Sequence, residues 1–297
     1  MRTLVHLSDL HFGRLDERVV GPLLAQVGDL KPHVVAVSGD LTQRARTDQF
    51  KAAREFLDAL PRVPQIVVPG NHDVPLYNVL ARFAHPLDKY RQHITDDLEP
   101  FYADAELAIL GINTARSLTI KYGRVNRMQI TRIRERLCPA GDEVTKIIVT
   151  HHPFDVPAGA DEREMVGRAE LAMETLAACG ADVLLAGHLH LSHTGHTAQR
   201  YRIRGHSALV VQAGTATSTR GRGEANSFNV LRIKHPYINV QRLAWRLDQQ
   251  RFTPAASEHF RHTPDGWVRL SDEAAAGIAY DEQSDALQPH APPTETR

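Results

Sequence analysis

The chain reads as an α/β protein built around a largely parallel sheet. Two patterns in the sequence lead there. Short β-branched runs alternate with amphipathic helical stretches from residue 2 to residue 73, in the order β-α-β-α-β. These runs carry little polar alternation, as expected of strands buried on both faces. A third pattern concerns where they stop: one after another ends in Asp, Asn, Gly or His.

Residues 2–8 form the first expected strand, and it breaks into "SDLH". Val19, Val20, Leu23, Leu24 and Val27 then recur at helical spacing across 16–30. "HVVAVSGD" (33–40) is a buried strand closing on Gly-Asp. Residues 47–60 form an amphipathic helix, with Thr47 or Asp48 as its cap. "PQIVVPGNHD" (64–73) is a strand running into a Gly turn. The stretch 74–104 mixes aromatics, Pro and charge and reads as a helical and irregular insertion. Strands follow at 107–115, 146–153 and 181–190, and helices at 126–137 and 168–180. Residues 208–216, 226–234 and 238–246 look like consecutive strands of a second sheet. From 272 to 297 the chain is Pro-rich and polar, a solvated disordered tail after a catalytic unit spanning 1–271.

Composition narrows the function. Lys plus Arg and Asp plus Glu both number 35, so the formal net charge is zero, which argues against a dedicated nucleic-acid backbone binder. No apolar run reaches the length of a membrane span, and the N-terminus lacks a signal-peptide pattern, so a cytoplasmic protein is expected. Cys138 and Cys179 are expected as free thiols in a reducing compartment.

The chemistry concentrates at the strand ends. They carry Asp9 and His11; Asp40; Asn71, His72 and Asp73; His151 and His152; and His188 and His190. In open α/β sheets ligands bind beyond the carboxyl ends of strands, so these scattered residues should converge. In extended backbone, residues i and i+2 share a side, which pairs Asp9 with His11 and His188 with His190. Gly39, Gly70 and Gly187 relieve crowding at the turns. Carboxylate, amide and imidazole donors together suit Mn²⁺, Fe²⁺ or Zn²⁺. Each cluster alone is a common turn or cap; five in order after five strands are not.

The series "SDLH", "SGDL", "PGNHD", "THHP" and "AGHLH" resembles the calcineurin-like metallophosphoesterase superfamily over roughly residues 2–240. The resemblance implies a four-layer αββα sandwich of two mixed sheets. It implies two divalent ions (Mn, Fe or Zn): Asp9, His11 and His190 on the first, Asn71, His151 and His188 on the second, and Asp40 bridging. It implies hydrolysis by a metal-bridging hydroxide, with His72 as electrostatic and proton-donating residue and Asp73 fixing its orientation. His152 is expected behind the ligands. Where purple acid phosphatases carry an iron-binding Tyr, this chain has Gln43.

In look the chain is closest to bacterial phosphodiesterases acting on cyclic nucleotides or glycerophosphodiesters. Three other readings stand beside it. One is a UDP-diacylglucosamine pyrophosphatase of lipid A synthesis, if Tyr77, Leu80, Phe83, Tyr90, Phe101 and Tyr102 form an acyl lid. Another is a repair-type DNA nuclease using the Arg-rich stretches 200–204 and 219–223. The last is a metal-free binding scaffold, which would require a missing ligand. Arg220, Arg222, Asn113 and Arg116 are candidate substrate contacts. A small phosphodiester is the expected partner, nucleic acid is less favoured, and a homo-oligomer is open. His6, His33 and His206 are expected to be structural or at the surface.

Overall fold

The computed structural model describes residues 1–276 and 278, apart from 202, 204, 205, 221 and 222. Two sheets lie face to face. The first has seven strands, β1 (Arg2–Leu7), β2 (Val34–Ser38), β3 (Gln65–Val68), β10 (Ser227–Lys234), β11 (Tyr237–Arg246), β12 (Arg251–Thr263) and β13 (Gly266–Arg269), in the order β13-β12-β11-β10-β1-β2-β3. The second has six, β4 (Phe101–Ala103), β5 (Leu107–Ile112), β6 (Thr145–Thr150), β7 (Val183–Ala186), β8 (His193–His196) and β9 (Leu209–Gln212), in the order β4-β5-β6-β7-β9-β8. Helices α1 (Glu17–Asp29) and α2 (Thr47–Ala59) cover the first sheet, and α5 (Arg127–Leu137) and α6 (Ala169–Ala178) cover the second. Two short helices, α3 (Val79–Ala84) and α4 (Asp88–His93), lie between β3 and β4, and α7 (Asp272–Ala275) follows β13.

The side-chain alternation of the strands builds the layers. Leu4, Val34, Ala36, Ile66 and Val68 meet Leu107, Ile109, Ile147, Val149, Val183 and Leu185 between the sheets. Their neighbours Val5, Leu7, Val35, Val37 and Val67 face outward onto Val19, Leu23 and Val27 of α1 and Phe50, Phe56 and Leu57 of α2. On the far side, Ala108, Leu110, Ile148 and Leu184 pack against Ile130, Ile133, Met173 and Leu176. This is the αββα sandwich, and it explains why these strands read as unbroken apolar runs: both of their faces are covered.

Several sequence expectations need correction. Strand β9 belongs with β5–β7, whereas β10 runs antiparallel beside β1 and β11 antiparallel beside β10 in the first sheet. They do not form a separate sheet because β1 has an open edge that only a distant segment can fill. The first sheet is accordingly mixed, parallel only from β1 to β3. Helix α2 is preceded by Arg46 as its N-cap, with no side-chain cap bond, so Thr47 and Asp48 already lie in its first turn. Cys138 and Cys179 are not free: a disulfide joins them across 41 residues, at the C-terminal ends of α5 and α6. The two helices pack side by side, which brings together thiols that sequence spacing leaves unrelated. The expectation of a reducing compartment loses that support. Residues 272–275 of the expected tail are helical, and 279–297 lie outside the described residues.

Candidate active site

The first loops of the site leave β1, β2 and β3 at their carboxyl ends, and those of β6 and β7 meet them there. The backbone turns abruptly at each. Asp9 (φ 53°), His11 (φ 50°), Asp40 (φ 51°), His188 (φ 72°) and His190 (φ 56°) all sit in the left-handed region. Non-glycine residues rarely adopt it, and where they do the surrounding structure enforces the conformation. The pairing of Asp9 with His11 and of His188 with His190 thus does not come from extended alternation. A chain of left-handed turns aims each side chain inward. The loops also touch. A Cβ at Gly70 would fall 2.2 Å from Asp40 Oδ1, and one at Gly187 would fall 1.8 Å from Ser8 Oγ and 2.5 Å from Asp9 Oδ2.

The seven expected ligands come together as two adjoining groups. In one, donor atoms of Asp9, His11, Asp40 and His190 lie within 4.8 Å of one another. His11 Nε2 is 3.2 Å from His190 Nε2 and 3.7 Å from Asp40 Oδ2, and His190 Nε2 is 3.1 Å from Asp9 Oδ1. In the other, His151 Nε2 lies 3.1 Å from Asn71 Oδ1, 3.3 Å from His188 Nδ1 and 3.4 Å from Asp40 Oδ1. Asp40 presents one carboxylate oxygen to each group.

The far side of each imidazole decides what its near side offers. His151 Nδ1 donates to the Ser38 carbonyl oxygen (2.8 Å), and His190 Nδ1 donates to that of Arg220 (3.1 Å). His188 Nε2 donates to the Glu164 carboxylate (2.9 Å). A neutral imidazole has one N–H, so His151 Nε2, His188 Nδ1 and His190 Nε2 bear lone pairs. These lone pairs face one another and face carboxylate and amide oxygens. Such a set repels itself unless a positive charge sits among it. The pKa shifts carry the same demand. Burial lowers His151, yet Asp40 and Asp9 raise it to about 9. Burial raises Asp9 and Asp40, but the surrounding imidazoles hold both carboxyls well below the usual range. The donors fit a divalent cation in each group.

The residues behind the ligands are less regular. Glu164 is a buried carboxylate that carried no sequence signal. It lies in a 3₁₀ turn (Glu162–Glu164) and pairs with both His188 and Lys121. Its bond to His188 is the main cause of a carboxyl pKa lowered to about 2. In sequence it is one acid in the run "DERE". A donor nitrogen of His152 lies within 4.8 Å of those of His151 and His188, its ring is 4.5 Å from that of His188, and both of its nitrogens are engaged, by Thr114 Oγ1 (2.8 Å) and the Lys121 carbonyl (2.9 Å). His6 is buried against Ser38 Oγ (2.8 Å).

His72 and Asp73 differ from expectation. Asp73 does not hold the His72 ring. Its oxygens accept from the N–H groups of Gly70, Leu41 and Thr42 and from Thr42 Oγ1, which ties the β3 turn to the β2 turn. His72 Nδ1 instead donates to the Gln43 carbonyl (2.9 Å), while Nε2 accepts from Arg220 Nη1 (2.7 Å). Its Nδ1 proton is held by the Gln43 carbonyl and its Nε2 lone pair by Arg220, and burial lowers its pKa.

Above the two groups lies a cavity of about 270 Å³, whose lining includes Asp40, Gln43, Asn71, His72, Lys121 and Arg220. Gln43 is buried, and its Oε1 has no partner among the described residues. Asn113 and Arg116 do not line this cavity. Asn113 Oδ1 accepts from Ala115 N, its carbonyl accepts from Gln129, and Arg116 donates to Gln129 Oε1, so both serve the start of α5. Arg222 lies outside the described residues. The aromatic lid does not form as a unit. Tyr90, on α4, is fully buried, Phe101 and Tyr102 are half-buried at β4, and Tyr77, Leu80 and Phe83 are exposed. No helix among the described residues is long and apolar enough to cross a membrane.

A sandwich of this topology with imidazoles and carboxylates gathered at the strand ends defines a metallophosphoesterase fold. The chain belongs to the calcineurin-like phosphoesterase family, whose model matches residues 2–192. It is 27% identical over 162 residues to glycerophosphodiester phosphodiesterase GpdQ of Enterobacter lignolyticus, a match covering 51% of this chain and 57% of that relative. Its fold is shared with a dimetal phosphatase from Danio rerio (TM-score 0.59, 14% identity, covering 80% of this chain and 95% of the other). It is shared too with a purple acid phosphatase from yellow lupin seeds (TM-score 0.64, 14% identity, 87% and 53%).

Proposed function

We propose that this chain is a binuclear-metal phosphodiesterase acting on small phosphodiesters, glycerophosphodiesters or cyclic nucleotides among them. Asp9, His11, Asp40 and His190 would hold one divalent ion, and Asp40, Asn71, His151 and His188 the other. When bound, such ions supply Lewis-acid polarisation of the phosphoryl group and a water acidified to near neutrality. The observation that carries the reading is the convergence of lone pairs from His151, His188 and His190 on Asp40, Asp9 and Asn71.

The chain's own residues supply the rest. Arg220, hydrogen-bonded to His72, brings a fixed positive charge to the phosphoryl oxygens as charge builds on them. His72 holds that guanidinium in place, a positioning role different from the one first expected of it. Asp73 keeps the Asn71 turn seated against Asp40. Lys121, paired with Glu164, is a second cation on the cavity wall.

The deciding experiment loads the protein with Mn²⁺, measures bound metal per chain, and assays a panel. The panel holds bis-p-nitrophenyl phosphate, p-nitrophenyl phosphate, glycerophosphocholine, cyclic AMP, a UDP-lipid analogue and single-stranded DNA. Two ions per chain and a preference for small diesters over the monoester are expected. Protein that binds no ion would return it to the scaffold reading, and processive DNA degradation would make it a nuclease.

A further inference from the structure

A second hollow, of about 450 Å³, adjoins the site cavity and shares Arg44 and Leu76 with it. Its lining includes three cationic residues, Arg44, Arg46 and Lys89, and no acidic one. Nearby on this layer, Arg18 pairs with Asp16 and Arg54 with Asp58. These three differ. Arg44 donates to Tyr77 Oη (2.7 Å), with its guanidinium 5.1 Å from the centre of the Tyr77 ring. Lys89 Nζ donates to the Ala45 carbonyl (3.2 Å). Those contacts fix positions and neutralise no charge. In a chain of zero formal net charge, three cations around one hollow with no carboxylate paired to them among the described residues are a local field that favours an anion.

The scissile phosphate does not account for this hollow. That group belongs in the cavity proper, where Arg220 and Lys121 already stand. We infer that the substrate carries a second anionic group beyond the scissile phosphodiester, seated between Arg44, Arg46 and Lys89. The inference rests on the phosphodiesterase reading for what fills the cavity proper. The second group is a phosphate or a further phosphodiester, borne either by a nucleoside or by a polyol.

Two substrate pairs, assayed with Mn²⁺, separate the carriers. The first is thymidine 5′-(p-nitrophenyl phosphate) and its 3′-phosphorylated counterpart, for which nitrophenolate release reads only cleavage of the diester. The second is glycerophosphoglycerol and bis(glycerophospho)glycerol. KM is expected to be about tenfold lower for the doubly anionic member of at least one pair, and that pair names the carrier. The advantage should vanish in an Arg46→Glu, Lys89→Glu double variant whose melting temperature and metal content match wild type. Equal KM in both pairs overturns the inference, as does an advantage that survives in the double variant. Calorimetry reads the hollow without turnover: thymidine 3′,5′-bisphosphate should bind the Mn²⁺-loaded protein about tenfold more tightly than thymidine 5′-monophosphate. Equal affinities together with equal KM in the polyol pair overturn it. A retained binding difference with no hydrolysis of any diester would remove the phosphodiesterase reading and keep the subsite.

Discussion

Asp40 joins the two donor groups, since one of its oxygens lies beside His11 and the other beside His151. Asp40→Asn replaces a charged bridge by a neutral amide. We expect it to release metal and lower kcat by about a thousandfold or more, read by elemental analysis and diester hydrolysis. Glu164 acts through His188, so Glu164→Gln should leave the fold intact and weaken metal binding by about 10- to 100-fold, read as an apparent Kd in a competition titration. An unchanged Kd would show that the His188 ring needs no help. Gln43 offers an unpartnered amide oxygen beside the cavity, so Gln43→Leu should raise KM by about tenfold with little change in kcat. At this scale the sequence was informative. Each donor is ordinary at a strand end, but five such clusters in order along the chain pointed to a single place. Glu164 was not legible because nothing in "DERE" says which acid turns inward; the 3₁₀ turn and the position of His188 decide that.

Among the elements, parallel strands β1–β3 and β5–β7 were readable because both of their faces are buried, which forces an apolar run. Strand β12 was not. Both of its faces meet solvent over residues 254–257 (Ala255, Ala256 and Ser257 are exposed), so its composition resembles a polar loop. The α5–α6 disulfide was equally unreadable, because two cysteines 41 residues apart become neighbours only when their helices pack. A bridge closing a loop of that length stabilises by about 2–4 kcal/mol. Cys138→Ser should lower the urea midpoint accordingly under non-reducing conditions, and wild type in dithiothreitol should fall to the same value. A midpoint unmoved by either change would deny the bridge a stabilising role.

Across the whole molecule, the sheets are joined at their lower edge as well as through their core. Arg2 of β1 pairs with Asp104, between β4 and β5, at 2.8 Å, and Tyr102 donates to the same carboxylate. Burial raises the Asp104 pKa, but the N–H groups of Glu106 and Leu107, with Arg2 and Tyr102, lower it to about 2. A depressed carboxyl pKa contributes stability that is present above the unfolded value of 3.8 and is lost as pH falls through about 2. Asp104→Asn should therefore lower Tm at pH 6 and flatten the dependence of Tm on pH between 4 and 2. A variant that follows the wild-type curve over that range would remove Asp104 from the account.

The sequence by itself determined the donor chemistry and the parallel halves of the sandwich, because ligand type and double-sided burial are written into local residue identity. Only the tertiary structure decided which sheet β10 and β11 join, which acid supports His188, that His72 is paired with Arg220, and that the cysteines meet. Each of those depends on contacts between segments far apart in the chain, and such contacts leave no periodic trace in the residues that make them.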